Sequence, residues 1–368
     1  MENYHFVVLF GLVFGVSYFL VPKIRAIALR FNLTDTPEAR SSHKTVTPSF
    51  GGIAFYISYL LLLFVAQFFI QNEVAVTLII AISILFFTGF LDDLLNLPAK
   101  LKFLGQVIGV GVLMFHPDFR ILSLNGFLDI YEIPIGVSIT GSMFFLLGLI
   151  NAFNLIDGID GLTGVTGIIV AIFYSFMFYN IETPLYLSLC FVTIATLLAF
   201  LRFNLSISKK IFMGDTGSLI LGLILGLLTL KLMTFKDSNE VFLDIDQRQL
   251  PLFLIAVLFV PILDIFRVIL IRIWKGVPVF SPDRNHMHHI IIDYGLSHRR
   301  ASFFIGAVNF MVALFMFFII KFFSPLQSSL ILIFLFLLAI LLLFFMNKNK
   351  TAIKIKLKLK RVLMMFQL

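Results

Sequence analysis

With 368 residues, 60% of them hydrophobic and 13% charged, and a mean hydropathy of +1.04, the chain has more apolar surface than a water-soluble domain of that length can bury. A net charge of +8 invites a nucleic-acid reading, but the basic residues lie between apolar runs and not on a soluble basic face, so no nucleic-acid partner is expected. The single cysteine, Cys190, sits inside an apolar run and says nothing about redox compartment.

Hydropathy predicts an all-α polytopic membrane protein with about eleven transmembrane helices of roughly 20 residues each. They cover 4–22, 50–70, 74–91, 101–116, 135–151, 162–180, 184–202, 211–231, 250–274, 301–321 and 326–346. The first is preceded by Glu2, with no basic n-region and no small-residue cleavage site, so it reads as a retained span and not a signal peptide.

Basic residues gather on alternate connections: Lys23, Arg25, Arg30, Arg40 and Lys44; Lys100 and Lys102; Arg202, Lys209 and Lys210; Arg272, Lys275, Arg284, Arg299 and Arg300. The other connections hold only Arg120, Lys231, Lys236, Arg248 and Lys321. The positive-inside rule therefore puts the first set and the C-terminus in the cytoplasm, with the N-terminus outside. No fixed-period repeat and no Gly/Ser linker appears, so 1–346 reads as one multi-span domain and 347–368 as a basic cytoplasmic tail that anchors topology.

Carboxylates are costly near membrane spans and each asks for an explanation. Asp92 and Asp93 close the third span, Asp157 and Asp160 follow the fifth, and Asp215 opens the eighth. By the orientation above all five face the cytoplasm. Carboxylates crowded at one aqueous face repel unless a cation sits among them, and such oxygen ligands suit magnesium, or manganese, holding a phosphorylated substrate. Asp264 and Arg267, three apart in the ninth span, read by default as an intrahelical ion pair.

The connections supply matching groups. The first carries Ser42-His43-Lys44 and then Thr47-Pro48-Ser49-Phe50-Gly51-Gly52; Lys100, Lys102 and Gln106 follow the aspartate pair. The loop after the fifth span runs Asn151 to Leu162, with Asn154, Asp157, Gly158, Asp160 and Gly161: glycines that let backbone approach a ligand, with amides and carboxylates for a nucleobase or a metal-bound phosphate. The eighth span opens Phe212-Met213-Gly214-Asp215-Thr216-Gly217-Ser218, a helix start that welcomes an anion, with Phe212 available to stack on a base. After the ninth span comes Asp283-Arg284-Asn285-His286-Met287-His288-His289. Zinc is the rival there, but no cysteine partner or HExxH spacing accompanies the imidazoles, which with Arg284 suit phosphate oxygens. No GxxxxGK[ST] loop points to ATP hydrolysis.

Together these blocks resemble, in order from Lys44 to about Arg300, the bacterial polyprenyl-phosphate N-acetylhexosamine-1-phosphate transferases of glycosyltransferase family 4. That family includes enzymes that start O-antigen and teichoic-acid linkage units and, more distantly, phospho-N-acetylmuramoyl-pentapeptide transferase. The resemblance implies a bacterial inner-membrane enzyme with its site facing the cytoplasm, magnesium as cofactor, a UDP-sugar and a polyprenyl phosphate as substrates, and a homodimer by analogy. It implies that Asp215 is the metal ligand, that Asp92 and Asp93 serve the acceptor phosphate and its deprotonation, and that Lys44 and Lys102 bind phosphate. Asn154, Asp157, Gly158 and Asp160 correspond to nucleotide-site positions, Phe212 to the residue stacking on uracil, and His286, His288 and His289 to diphosphate-binding histidines; Ser49, Gly214 and Arg284 fall in the same blocks. The DRNHMHH loop resembles the UDP-N-acetylglucosamine branch more than the muramoyl-pentapeptide branch. The implied reaction is attack of the lipid phosphate on the β-phosphorus with UMP leaving, either directly or through an aspartate nucleophile. A secondary transporter is the rival class, but it would place its charged groups near the bilayer midplane and show related halves.

Overall fold

The computed structural model describes residues 3–34, 47–70, 73–235, 246–278 and 285–365, and among them the regular structure is helical. The long helices are α1 (Asn3–Arg30), α2 (Gly52–Ile70), α3 (Glu73–Leu95), α4 (Ala99–Leu113), α5 (Ile135–Ile156), α6 (Leu162–Asn180), α7 (Pro184–Asn204) and α8 (Gly214–Met233). After these come α9 (Leu250–Val257), α10 (Phe259–Trp274), the short α11 (Met287–Asp293), α12 (His298–Phe322) and α13 (Pro325–Met365). Each predicted apolar segment falls on one helix, except the ninth, which is a pair, α9 and α10, bent by 72°.

Among the described residues eight helices are long and apolar enough to cross a membrane, or nine with the bent pair taken as one span. The two predicted segments outside that count are α2 and α4. At 15 residues α4 is about 22 Å long, less than a hydrocarbon core of roughly 30 Å. The eighth helix starts at Gly214 and not at 211, because 211–213 are drawn into pairing with the chain before α2: Phe212 N–H donates to Pro48 O at 2.7 Å, and Gly51 and Gly52 donate back to Phe212 O and Met213 O at 2.9 Å. The last helix runs unbroken from Pro325 to Met365, through the predicted start of the tail.

Helix α8 is the axis of the bundle. Its apolar window is 94% buried, against 11% for α13, so α8 is wrapped by protein while α13 presents its apolar surface outward. It packs on α5, α3, α2 and α6. Gly222 and Gly226, four apart, let α5 come close: a Cβ at Gly222 would lie 2.7 Å from the Ile150 Cα. Gly222→Leu is expected to destabilise the protein by about 1–3 kcal/mol through overpacking, seen as a lower thermal midpoint in detergent, whereas Gly111→Leu, facing open space, leaves it unchanged.

The central helix therefore fixes one point at its N-terminus around which α3, α4, α5 and the segment before α2 converge. Polar groups also collect at its other end, where the Lys231 ammonium meets Asp118 at 2.9 Å and Tyr186 donates to the same carboxylate at 2.8 Å.

Candidate active site

The first turn of α8 is capped from another helix. Asp93, near the end of α3, accepts the Asp215 N–H at 2.9 Å on one oxygen, and the Thr216 N–H at 3.0 Å and Thr216 hydroxyl at 2.5 Å on the other. A helix start leaves backbone N–H groups unpaired, and a carboxylate there satisfies them and favours the positive end of the helix dipole. Gly214 makes the turn possible: its φ is +71°, and a Cβ would collide with the Ser49 carbonyl and lie 2.6 Å from an Asp93 oxygen. Ser49 and Gly214 thus enter the site as backbone.

Asp92, one position earlier, points elsewhere. Lys102 in α4 donates to Asp92 Oδ2 at 3.2 Å and to Asn154 Oδ1 at 3.3 Å, and its ammonium is in direct contact with Asp215 Oδ2. Asn154, near the end of α5, donates in turn to Asp215 Oδ1 at 2.8 Å and to Ser218 Oγ at 2.9 Å. Three oxygens from α3, α5 and α8 therefore surround one cationic group. Hard oxygen donors of this kind also suit magnesium, which takes one or two carboxylates and completes its shell with phosphate and water. Among the described residues no three His, Cys, Asp or Glu side chains form a metal cage.

The loop between α5 and α6 joins this cluster to the histidine segment. Asp160 pairs with Lys210 at 2.7 Å and with His298 Nδ1 at 3.3 Å, while its carbonyl accepts the Ser302 hydroxyl at 2.7 Å. Burial alone would raise the Asp160 carboxyl, but His298 and Lys210 hold it below the ordinary value. Asn204 ties the loop to the α8 approach, accepting Gly161 N–H at 2.7 Å and donating to Ile211 O at 2.9 Å. Lys210 also lies 5.1 Å from the ring centroid of Phe212, so that ring already carries a cation on its face.

Asp157 behaves differently. Burial, with Asp93 and Asp160 adding repulsion, pushes its carboxyl up from 3.8 to about 8. The folded chain then holds a proton that the unfolded chain releases, so stability from this group is full below the unfolded value and is lost as pH rises through about 8. Asp157→Asn keeps the neutral form. Its thermal midpoint is expected to exceed that of the parent protein above this window and to match it below; an equal difference at both ends would refute the assignment.

Gly158 has open backbone because an imidazole fills the space: a Cβ there would overlap the His288 ring. His288 is 2% exposed, and among the described residues neither ring nitrogen has a hydrogen-bond partner. Burial, reinforced by His289, drives it down to about 3, so the ring is neutral. It stacks on His286, with centroids 5.7 Å apart, and meets His289 at a tilt of 48° and 4.3 Å. His286 Nδ1 lies 2.8 Å from Asp264 Oδ2, and the other Asp264 oxygen accepts Met287 N–H at 2.7 Å at the start of α11. Arg267 donates to the Asn285 carbonyl. Asp264 and Arg267 are therefore committed to the histidine segment, where spacing alone makes them an intrahelical pair.

The structure thus brings Asp92, Asp93, Lys102, Asn154, Asp157, Asp160, Phe212, Asp215, His286 and His288 to one end of the bundle, with His289 beside them. Lys44 and Arg284 lie outside the described residues. The sequence reading passed over Lys210, Asn204, His298 and Ser302 as partners of the central loop. A histidine at a helix start beside two arginines was the one visible hint, in His298-Arg299-Arg300.

Known proteins match the stretch of chain that holds most of these residues. The model of "Glycosyl transferase family 4" matches residues 75–233, a stretch that contains both aspartate pairs and Asp215 and stops before the histidine segment. The "Probable undecaprenyl-phosphate N-acetylglucosaminyl 1-phosphate transferase" of Bacillus subtilis (strain 168) is 30% identical over 303 residues, covering 80% of this chain and 79% of its own. The "Undecaprenyl-phosphate alpha-N-acetylglucosaminyl 1-phosphate transferase" of Salmonella typhi is 28% identical over 298 residues, 78% of this chain and 77% of its own. The "Decaprenyl-phosphate N-acetylglucosaminephosphotransferase" of Mycobacterium leprae is 30% identical over 340 residues, 82% of each. Relatives of that identity and coverage, with the family's match running from α3 through α8, place the chain in glycosyl transferase family 4.

Proposed function

We propose that the protein transfers N-acetylglucosamine-1-phosphate from UDP-N-acetylglucosamine to undecaprenyl phosphate, releasing UMP and starting a lipid-linked cell-envelope glycan. One observation carries the reading: Asp92, Asn154 and Asp215 converge on Lys102 beneath the N-terminus of α8. The names of the relatives supply the substrates.

In this reading an oxygen of the lipid phosphate attacks the β-phosphorus, the bond to UMP breaks, and UMP leaves with the electron pair. Asp215, with Asn154 beside it, would hold a magnesium ion, manganese being the alternative, which would supply charge neutralisation for the phosphates. Lys102 is placed to bind phosphate oxygens, and Asp92, on the far side of its ammonium, faces the acceptor. Since a phosphate monoester is largely ionised near neutral pH, positioning outweighs proton removal there. Asp157, Gly158, Asp160 and Phe212 form the nucleotide wall. The neutral His288 offers hydrogen bonds, while His286, His289 and, by resemblance, Arg284 and Lys44 complete the phosphate contacts.

The same reading assigns eleven spans, counting α2 and α4 as membrane-embedded, in a bacterial plasma membrane with the site on the cytoplasmic face, the C-terminus inside and the N-terminus outside. It takes 1–346 as one catalytic unit, 347–368 as its tail, and a homodimer as the assembly. UDP-GlcNAc labelled in the sugar, incubated with purified protein, undecaprenyl phosphate and magnesium, is expected to give organic-extractable label with UMP as co-product. Release of UDP in place of UMP, or label only with a muramoyl-pentapeptide donor, would replace the reading.

A further inference from the structure

The break between α9 and α10 is repaired by one side chain from α12. In a continuous helix the Val257 carbonyl would accept from the residue four positions on, but that residue is Pro261, which has no N–H. The 72° bend likewise takes the Val260 N–H out of line. Inside a membrane no bulk water satisfies such groups. Asn309, fully buried in α12, supplies both halves: its Nδ2 donates to Val257 O at 2.9 Å and its Oδ1 accepts Val260 N–H at 2.9 Å.

The residues just past the break serve the site. One turn beyond Val260 stands Asp264, which holds His286 and the start of α11, and the next position on that face is Arg267, bonded to Asn285. The same α12 also presents His298 and Ser302 to Asp160, one on its carboxylate and the other on its carbonyl. One helix thus braces both the central loop and the angle from which the histidine segment is held.

We propose that Asn309 is a positioning residue for phosphoryl transfer: by splinting the α9–α10 break it sets the direction of α10 and, through Asp264, the place of His286. Asn309 touches no reacting group. The inference rests on the proposed role of the histidine segment in holding phosphates, so its test has one arm that needs no activity.

Three variants, Asn309→Asp, which loses the donor, Asn309→Leu, which loses both bonds, and Asn309→Gln, are purified in detergent and screened for a monodisperse, cooperatively melting protein. In the first arm spin labels at Asn96→Cys and Lys275→Cys, both exposed positions, report the α10 end against α3. A folded Asn309→Leu is expected to shift or broaden that distance by about 3 Å or more, as a changed kink must. An unchanged distance overturns the splint. In the second arm Asn309→Asp lowers kcat about tenfold with a smaller change in the KM for UDP-GlcNAc, and adding Asp264→Asn to it costs no more than the larger single loss, as for residues acting in one chain. Turnover within about twofold of the parent, or losses that multiply, overturns the link to Asp264. Failure of all three to fold also overturns the proposal, since Asn309 would then serve the fold alone. If the parent protein itself transfers nothing, the functional reading fails while the distance arm still decides the splint.

Discussion

Asp215→Asn is expected to lower transfer by about a thousandfold or more while the protein remains folded. The carboxylate stands between two donors: Asn154 Nδ2 on Oδ1 and the Lys102 ammonium on Oδ2. An amide in its place offers one acceptor and turns an NH2 group toward one of those donors, so the oxygen cluster loses both a charge and its geometry. The fold has little reason to fail, because the Asp93 cap binds the backbone at 215 and 216 and the body of α8 is buried apolar surface. Steady-state turnover and size-exclusion behaviour measured on the same preparation check both halves. Near-normal magnesium-dependent turnover in Asp215→Asn would remove this residue from the reaction.

The second large effect separates neighbours that look equivalent in sequence. Asp93→Ala strips the partners from two backbone N–H groups and the Thr216 hydroxyl, all at a half-buried helix start. Leaving such donors unpaired costs about 1–3 kcal/mol apiece, and more where the lost acceptor is charged. At about 2 °C per kcal/mol the thermal midpoint is expected to fall by roughly 6 °C or more, with activity lost because Asp215 is no longer held. Asp92→Asn makes the opposite split: transfer falls while the midpoint stays close to that of the parent protein. Among the described residues the Asp92 carboxylate bonds the Lys102 ammonium alone, and that ammonium keeps Asp215 and Asn154. A stable, inactive Asp93→Ala beside an unstable Asp92→Asn would reverse the roles assigned to the pair.

Hydropathy located the helices because a stretch that must lie in lipid or in the core of a bundle has few alternatives to an apolar helix. It did not fix where each helix ends: α4 stops at Leu113, three residues before the predicted bound, and with Lys100 and Lys102 in its first turn it is less apolar than α3 and α5. The gathering of carboxylates was visible from the alternation of basic connections. Their division of labour was not: the bonds that distinguish Asp93 from Asp92 reach α8 across 122 and 123 positions, and no local pattern records them. Asp264 shows the same limit. Spacing on one helix points to Arg267, while the structure turns the carboxylate to His286 22 positions away. The ninth span reads as one continuous segment through Pro261; the structure breaks it just before that proline, and the residue that repairs the break lies on another helix.

The central claim is that the connections after α3, α5 and α7 and the segment before α12 meet on one water-facing side of the membrane. Single cysteines at Asn96, Lys209 and Arg299, and for contrast at Tyr131 and Glu182, all exposed positions, can be placed in a Cys190→Ser background and challenged with a membrane-impermeant maleimide. The account predicts that the first three react only when the reagent reaches the cytoplasmic side and the other two only from outside. If Asn96, Lys209 and Arg299 were divided between the two sides, the aspartates and histidines they flank could not share one catalytic centre.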